Sequence, residues 1–301
     1  MEAGLTFVLP LLLAPLLLGV INRTKAFVAG RTGQPLLQPY HDLLKLLRKG
    51  AVYSRTTTWV FRAGPIVGLA AVLIATALVP LGGAPAAVGF PGDLILVAYL
   101  LGLMRFFTVL AALDTGSSFE GMGASREVTF SALAEPTLLL GLAAVARQTG
   151  SLSLSTMYAG INLATWTHVG PALALLAGAL LIVFLTENAR IPIDDPTTHL
   201  ELTMIHEVMV LDHSGPDLAF ILYGSALKLW LLGALLVGII VPVRTGIIWI
   251  DMVSTLAGLF VLAVVTGLIE SSMARWRLIR LPQLLAGAGA LAALALALIL
   301  R

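Results

Sequence analysis

The sequence predicts an all-α, polytopic integral membrane protein with eight transmembrane helices in one domain over residues 1–301. Its mean hydropathy is +0.98, and 58% of its residues are hydrophobic whereas only 11% are charged. These values exclude a soluble globular domain, and apolar runs such as residues 281–300 are too continuous for the alternating strands of a membrane barrel. Cysteine is absent, so this chain alone cannot supply a disulfide or a thiolate-bound cluster.

Each spanning helix is predicted from an apolar run of ~20 residues, the length that crosses a bilayer. The first run has no early Lys or Arg, which indicates a retained span and not a cleaved signal peptide. A Gly- and Pro-rich stretch at 82–92 separates the second run from the third, while Arg105 and Lys228 are charges inside the third and sixth runs. The predicted spans are residues 3–22, 64–82, 93–112, 129–147, 168–186, 217–241, 247–268 and 281–300.

Four loops are predicted on one face, at about residues 23–63, 113–128, 187–216 and 269–280. Thirteen Lys and Arg residues lie on this face and three on the other, so the positive-inside rule predicts cytoplasmic loops and outside termini in a cell inner membrane. In the first loop, leucines at helical spacing after Pro39 predict a short amphipathic helix along the membrane surface. The third loop is the most acidic, because residues 187–217 hold seven of the sixteen carboxylates.

Three motifs, in this order, resemble the H subunit of respiratory complex I and its hydrogenase relatives. The first loop reads G-R-T-G-Q-P-L-L-Q-P-Y-H-D-L-L-K-L-L at residues 30–47, and G-A-S-R at 123–126 is followed by Glu135. The acidic loop opens with E-N-A-R-I-P-I-D-D-P at 187–196 and continues with Glu201 and Leu202. Eight spans with outside termini also match that family, so the resemblance covers essentially the whole chain.

A departure from the quinone-reducing branch narrows this resemblance. Thr197 and His199 stand where that branch has two further glutamates after the second proline. The continuation T-T-H-L-E-L-T-M-I-H-E-V-M-V-L-D-H-S-G-P-D at 197–217 resembles the membrane subunit of formate hydrogenlyase and hydrogenase-4 type complexes. Between Thr197 and Met209, apolar and polar residues alternate as on a half-buried helix.

The resemblance implies a membrane-anchoring and energy-coupling subunit of a complex I-like nickel–iron hydrogenase. The expected partners are the lipid bilayer, hydrogenase large and small subunits, an iron–sulfur subunit and antiporter-like membrane subunits, with no nucleic acid. No redox cofactor is expected in this chain, because the nickel–iron and iron–sulfur centres would belong to the partners. The alternatives are the quinone-site H subunit of a NADH-quinone oxidoreductase, a stand-alone secondary transporter and a passive anchor whose acids only bind the soluble arm.

Charged residues in or beside the spans are the candidate site residues, because a charge inside a bilayer is costly and commonly marks an ion pathway. Local pairing is expected for Arg105 with Asp114 or Glu120, and for Glu270 with nearby arginines. Arg190 is expected to pair with the acids of its own loop. The candidates for a proton or coupling path are Arg105, Arg126, Glu135, Glu187, Arg190, Asp194, Glu201, Glu207 and Lys228. The expected docking residues for a soluble partner are Arg31, Gln34, Gln38, Asp42 and Lys45. The histidines lack a zinc-binding spacing such as H-E-x-x-H, so no metal site is predicted.

Overall fold

The computed structural model describes residues 2–194 and 204–301, and these form an all-helical bundle. Within that part of the chain, two short 3-10 helices at Glu207–Val210 and Leu278–Arg280 accompany the α-helices. The α-helices are α1 Glu2–Val28, α2 Gln38–Leu47, α3 Trp59–Leu78, α4 Asp93–Asp114, α5 Ser118–Thr149, α6 Leu154–Ala159, α7 Leu163–Glu187, α8 Gly215–Ile240, α9 Ile248–Ser272 and α10 Leu281–Leu300.

Eight of these helices are long and apolar enough to span a membrane, which confirms the predicted fold class. The predicted start of the fourth span at residue 129 is wrong, because α5 already begins at Ser118. Its first turns contain Glu120, Arg126 and Glu127, and a hydropathy window treats such polar residues as a loop. Similarly, α1 continues beyond residue 22 to Val28. The charged ends of these helices therefore belong to the bundle.

The predicted amphipathic helix of the first loop is present as α2, and it packs against α1 and α8. The Tyr40 hydroxyl donates a hydrogen bond to the Leu12 carbonyl of α1. Gly19 allows a close approach, since a Cβ there would overlap the Leu36 carbonyl oxygen. Leu44 and Leu47 remain exposed on the outer side of α2. An amphipathic helix placed in this way covers the side of the bundle and offers leucines to lipid.

Helix α8 forms the centre of the bundle and contacts α1, α2, α3, α7 and α9. Two helix pairs, α3 with α4 and α1 with α9, pack beside it, and α10 lies against α5 and α7. Small residues allow these helices to approach, as expected where apolar burial does not distinguish protein from lipid. A Cβ on Gly64 of α3 would lie 2.9 Å from the Ala111 Cβ of α4.

The acidic loop turns into the bundle directly after α7. Ala189 has a left-handed φ of 49°, and the Arg190 N–H donates back to the Leu185 carbonyl at 2.8 Å, which closes the helix end. Arg190, Ile193 and other residues up to position 194 are buried. Residues 195–203 lie outside the described part of the chain. The half-buried helix predicted over 197–209 can be assessed only from residue 204 onward, where the chain forms a 3-10 turn at Glu207–Val210.

Candidate functional site

Arg105, at the middle of α4, is the centre of a buried group of charged side chains. Its Nε donates to Glu127 Oε1 at 3.1 Å, its Nη1 donates to Glu135, and its Nη2 donates to Glu187. Glu127 and Glu135 come from α5, whereas Glu187 is the last residue of α7. A guanidinium can serve three carboxylates because its five N–H groups point in fixed and separate directions. Arg105 therefore joins α4, α5 and α7.

Lys228, at the middle of α8, adds a second cation to this group. Its Nζ lies 2.8 Å from Glu187 Oε2, so Glu187 is shared between an ammonium and a guanidinium. The shared carboxylate offsets part of the cost of placing two cations at mid-helix positions in membrane-spanning segments. The group thus draws on four spanning helices. We call it the central cluster, and it consists of Arg105, Glu127, Glu135, Glu187 and Lys228.

Formal charges within the central cluster do not cancel, because three carboxylates face two cations. Four of the five side chains are at most 12% exposed. Glu135 differs from them, since 47% of its side chain is exposed. The cluster therefore carries one surplus negative charge and opens toward the surface of the chain at Glu135.

Glu135 opens onto a groove between α4 and α5 with a volume of about 890 Å³. Most of its lining is apolar, including Tyr99, Phe106 and Leu139, whose side chains are also exposed at the surface of the bundle. Arg105 and Glu135 line one part of the groove, and Arg147 lines another. The lining contains no residue of the first predicted loop within the described chain. The groove thus connects the central cluster with the lipid-facing side of the bundle.

His206 approaches the central cluster from the acidic-loop side. Its Nδ1 lies 3.3 Å from Glu127 Oε2, and 29% of its side chain is exposed. The backbone N–H groups of Ile205 and His206 donate to Asp194 Oδ2 at 3.0 and 3.1 Å. The end of the acidic loop therefore holds His206 beside a carboxylate of the cluster.

A second network of charges lies where α1, α9 and the acidic loop meet. Lys25 Nζ and Arg190 Nη1 lie 2.9 and 3.3 Å from the two carboxylate oxygens of Glu270. Arg275 Nη2 lies 3.0 Å from Asp194 Oδ1, and the Trp276 N–H donates to the Pro192 carbonyl at 3.0 Å. These contacts attach the acidic loop to the segment between α9 and α10. We call this the peripheral network, and it consists of Lys25, Arg190, Asp194, Glu270 and Arg275.

The structure brings together four of the nine coupling candidates in the central cluster, namely Arg105, Glu135, Glu187 and Lys228. Arg190 and Asp194 lie in the peripheral network instead. Arg126 donates to the Met204 carbonyl at 2.7 Å, and Glu207 begins the 3-10 helix that follows. Glu201 lies outside the described residues.

The expected local partners of Arg105 and Glu270 are wrong, because tertiary contacts replace them, and Arg190 also has a tertiary partner. Arg105 does not pair with Asp114 or Glu120 but with acids from α5 and α7; Asp114 instead accepts hydrogen bonds from Thr58 at the start of α3. Arg190 pairs with Glu270 of α9; Asp195, one of the acids of its own loop expected to pair with it, lies outside the described residues. Glu270 in turn pairs with Lys25 and Arg190, not with the arginines that follow it.

Two residues of the site were absent from the predicted coupling path, Glu127 and His206. Glu127 falls in a stretch that hydropathy assigns to a loop, and His206 lies in the stretch at 197–217 that carries the family resemblance but has no spacing that assigns it a role. The signal that could have found Glu127 is its spacing from Glu135, just over two helical turns on a continuous α5. For His206 no local signal exists, because its contact with Glu127 is long-range.

The expected docking residues lie in α2 and in the segment before it, beside α1 and α8. Arg31, Gln34, Asp42 and Lys45 are exposed, and Gln38 Nε2 donates to Asp42 Oδ1 at 2.8 Å along α2. In the structure of this chain, these side chains are therefore accessible to a partner protein. In residues 2–194 and 204–301, no group of three or more His, Asp or Glu residues has a geometry suited to a metal ion.

The NADH dehydrogenase family model matches residues 2–300, which is almost the whole chain. The chain belongs to the NADH dehydrogenase family. Formate hydrogenlyase subunit 4 of Escherichia coli is 34% identical over 276 residues, which cover 88% of this chain and 87% of that protein. Hydrogenase-4 component C of Escherichia coli is 31% identical over 276 residues, which cover 90% and 86%. The resemblance drawn from the loop motifs is thereby confirmed.

Members of the quinone-oxidoreductase branch are also similar to this chain. The H subunit of the NADH-quinone oxidoreductase of Anaplasma phagocytophilum is 28% identical over 216 residues, covering 67% of this chain and 62% of that protein. Among solved structures, a chain of the membrane-bound sulfane sulfur reductase, an archaeal respiratory membrane complex, superposes with a TM-score of 0.80. The two sequences are 22% identical, and the match covers 99% of this chain and 98% of the reductase chain. The fold of this chain is therefore a fold of respiratory membrane complexes.

Proposed function

We propose that this chain is the membrane-anchoring and energy-coupling subunit of a complex I-like hydrogenase or formate hydrogenlyase. It docks a soluble redox arm on its loop face and links that arm to ion-translocating, antiporter-like subunits in the membrane. The redox centres, nickel–iron and iron–sulfur, belong to the hydrogenase and iron–sulfur partners. The loop face would be cytoplasmic and the termini outside, in the plasma membrane. The names and coverage of the formate hydrogenlyase and hydrogenase-4 relatives support this branch.

The central cluster is the observation on which the coupling role depends. Charged side chains from four spanning helices are in direct contact within the bundle, where their interactions are much stronger than in water. A change in the charge or position of one member therefore changes the energies of the others. Glu187 is well placed to transmit such a change, because it contacts both Arg105 and Lys228 and begins the acidic loop. A redox arm that moves this loop would therefore change the electrostatic energies of the charged groups in the central cluster.

The two ends of the cluster suggest where a signal would enter and leave. On the loop face, the exposed docking residues of α2 and the acidic loop offer a mixed-charge surface to a soluble arm. On the membrane side, Glu135 lies half-exposed in the apolar groove between α4 and α5. An ionised carboxylate facing lipid is costly, so a covering membrane subunit would stabilise it. We therefore place the antiporter-like partner against α4 and α5.

The alternatives make different demands on the structure. A quinone-site subunit needs a headgroup chamber near the first and third loops; the groove between α4 and α5 includes Glu187, which opens the third loop, but within the described chain it includes no residue of the first loop. A stand-alone transporter would be expected to have internal repeats and interrupted helices at mid-membrane. A passive anchor requires only exposed charges on the loop face. That role does not explain why the central cluster is buried and has a surplus of negative charge. These points favour the coupling subunit.

The coupling role is tested with Glu135→Gln and Lys228→Met in the assembled complex. Inverted membrane vesicles report the membrane potential formed per electron transferred, which counts H⁺ and Na⁺ alike. We expect both variants to bind the soluble arm and to lower this ratio by about tenfold or more, because each interrupts the charge relay. Exposed residues provide matched controls, Asp212→Asn for the acid and Lys49→Met for the base.

Two outcomes of this experiment, and a separate measurement with quinone-site inhibitors, distinguish the roles. A normal potential per electron in both variants would contradict the coupling role of the central cluster. Loss of the soluble arm with a normal ratio in the remaining complexes would favour the passive anchor. Inhibition by quinone-site blockers would support the quinone alternative.

A further inference from the structure

We propose that His206 is the residue through which the central cluster exchanges protons with the loop face of the bundle. This inference rests on the proposed function and adds to it the point of proton entry. His206 lies outside the spanning helices and beyond the motif at 187–196. Its position beside Glu127 results from the tertiary fold alone.

The exposure of the side chains leads to this assignment. Within the described part of the cluster and its direct partners, only two titratable groups are more than slightly exposed: His206 at 29% and Glu135 at 47%. The groups between them, Glu127, Arg105 and Glu187, are at most 12% exposed. A proton from the loop face would thus reach His206 first. Glu135 lies at the other end, in the groove.

The charge of the cluster creates a demand for one proton. Three carboxylates face two cations, so one surplus negative charge remains inside the bundle. A proton on the His206 imidazole gives a formal charge balance, and the same proton on a carboxylate does so too. The proton can therefore move from the histidine to the carboxylates without changing the total charge. A desolvated site favours such transfers, because separated charges are costly there.

The geometry at Glu127 suits an imidazole as the exchanging group. An ionised carboxylate only accepts hydrogen bonds, so Nδ1 carries a hydrogen when it binds Glu127 Oε2 at 3.3 Å. The second nitrogen, Nε2, can then take a proton from a hydronium ion at the loop face, which leaves water, while Nδ1 releases its own proton to form the O–H bond of a neutral Glu127 carboxyl group. One N–H bond forms and one breaks, and the ring returns to its starting state by tautomer exchange or rotation.

Neighbouring residues fix the position of the segment that carries His206. Asp194 accepts its backbone N–H, and Arg126 of α5 donates to the Met204 carbonyl. Gly123 of α5 permits the close approach, since a Cβ there would overlap Val208 Cγ1. Among the described residues, Glu127 of α5 contacts the imidazole and Arg105 of α4 contacts Glu127, while Arg126, Asp194 and Glu207 are the charged residues that bind the segment or lie beside His206 in it.

The test compares His206→Asn with wild type in the assembled complex. The Asn amide can still donate to Glu127 from a position close to that of Nδ1, but it cannot take up a proton. We expect normal assembly, normal electron transfer in the presence of an ionophore, and about tenfold less membrane potential formation at matched electron flux. Added imidazole, a small diffusible proton carrier, is expected to restore part of the lost rate.

His41→Asn is the matched control, because His41 is an exposed histidine on α2. It is expected to behave as wild type and to show no response to imidazole. Gly123→Ala provides a second variant, since it displaces the segment while the histidine is retained. We expect Gly123→Ala to reduce membrane potential formation, as His206→Asn does.

A wild-type rate of membrane potential formation in His206→Asn would overturn this inference. A reduced rate of potential formation that added imidazole does not restore would overturn it too. The result remains separable from the proposed function. If Glu135→Gln and Lys228→Met lose coupling while His206→Asn does not, the cluster couples but takes its proton elsewhere. If all three variants are normal, the proposed function itself fails.

Discussion

The central cluster and the peripheral network contain the same kinds of residues but differ in charge balance and in what they connect. The central cluster has three carboxylates and two cations, and it joins four spanning helices and opens on a groove. The peripheral network has three cations and two carboxylates, and it attaches the acidic loop to α1, α9 and the segment after α9. Surplus acid inside the bundle can accommodate a mobile proton, whereas the two arginines of the peripheral network keep fixed charges. The difference indicates coupling in one region and bracing in the other.

The largest effect is expected at Glu187, the shared acid of the central cluster. Glu187→Gln leaves Lys228 without its buried carboxylate, which typically costs about 3–5 kcal/mol. Lys228→Met is expected to cost less, because Glu187 keeps its contact with Arg105. The double variant should be less destabilised than the sum of the two singles. Thermal unfolding of the detergent-purified complex measures all three, and additive effects would show that the two side chains do not interact.

A smaller effect, of a different kind, is expected in the peripheral network. Glu270→Gln removes the acceptor of Lys25 and Arg190, and we expect a loss of stability of about 1–3 kcal/mol, since Lys25 can still reach water. The potential formed per electron should stay normal in complexes that assemble. Arg275→Ala, which removes the ion pair between Arg275 and Asp194, should act in the same direction.

Glu270→Gln and Arg275→Ala test whether the central cluster and the peripheral network have different roles. A reduced potential per electron in assembled Glu270→Gln complexes would mean that the peripheral network also takes part in coupling. Assembly and potential are measured on the same membranes, so that a loss of complex is not counted as a loss of coupling.

The smallest effect concerns pH and separates stability from coupling. His213 is buried with its ring stacked on Phe61 at 3.9 Å, and burial lowers the pKa of its imidazole to about 4, although Asp217 and Asp212 act in the opposite direction. Between pH 4 and about 6.5, the unfolded chain therefore binds a proton that the folded chain does not. Stability should fall by about 1–2 kcal/mol as the pH drops from 7 to 5.

His213→Gln is expected to remove much of this slope, as measured by unfolding at a series of pH values. The pH profile of ion translocation at matched complex concentration should keep its wild-type form, because His213 does not contact the central cluster in the described structure. An unchanged stability slope in His213→Gln would contradict the assignment of the acid sensitivity to this residue. A changed translocation profile would extend coupling to a second histidine.

The sequence predicted the helices and several site residues for reasons that are local. A run of ~20 apolar residues reports a span wherever it occurs, and a charge such as Arg105 or Lys228 inside a span is conspicuous because it is rare there. The amphipathic helix α2 was predictable from its leucine spacing. The polar start of α5 was not, because helices that protrude from the apolar zone have no hydropathy signal.

The sequence by itself determined the all-α membrane fold, the eight spans, the family and the presence of charges within the bilayer. Only the tertiary structure decided that Arg105 binds acids from α5 and α7, that Arg190 binds Glu270 of α9, and that His206 lies beside Glu127. The physical reason is the distance along the sequence over which each property is determined. Transfer of a residue to the bilayer depends on that residue and its neighbours in sequence, whereas the partner of a buried charge is whatever helix packing brings within about 3 Å.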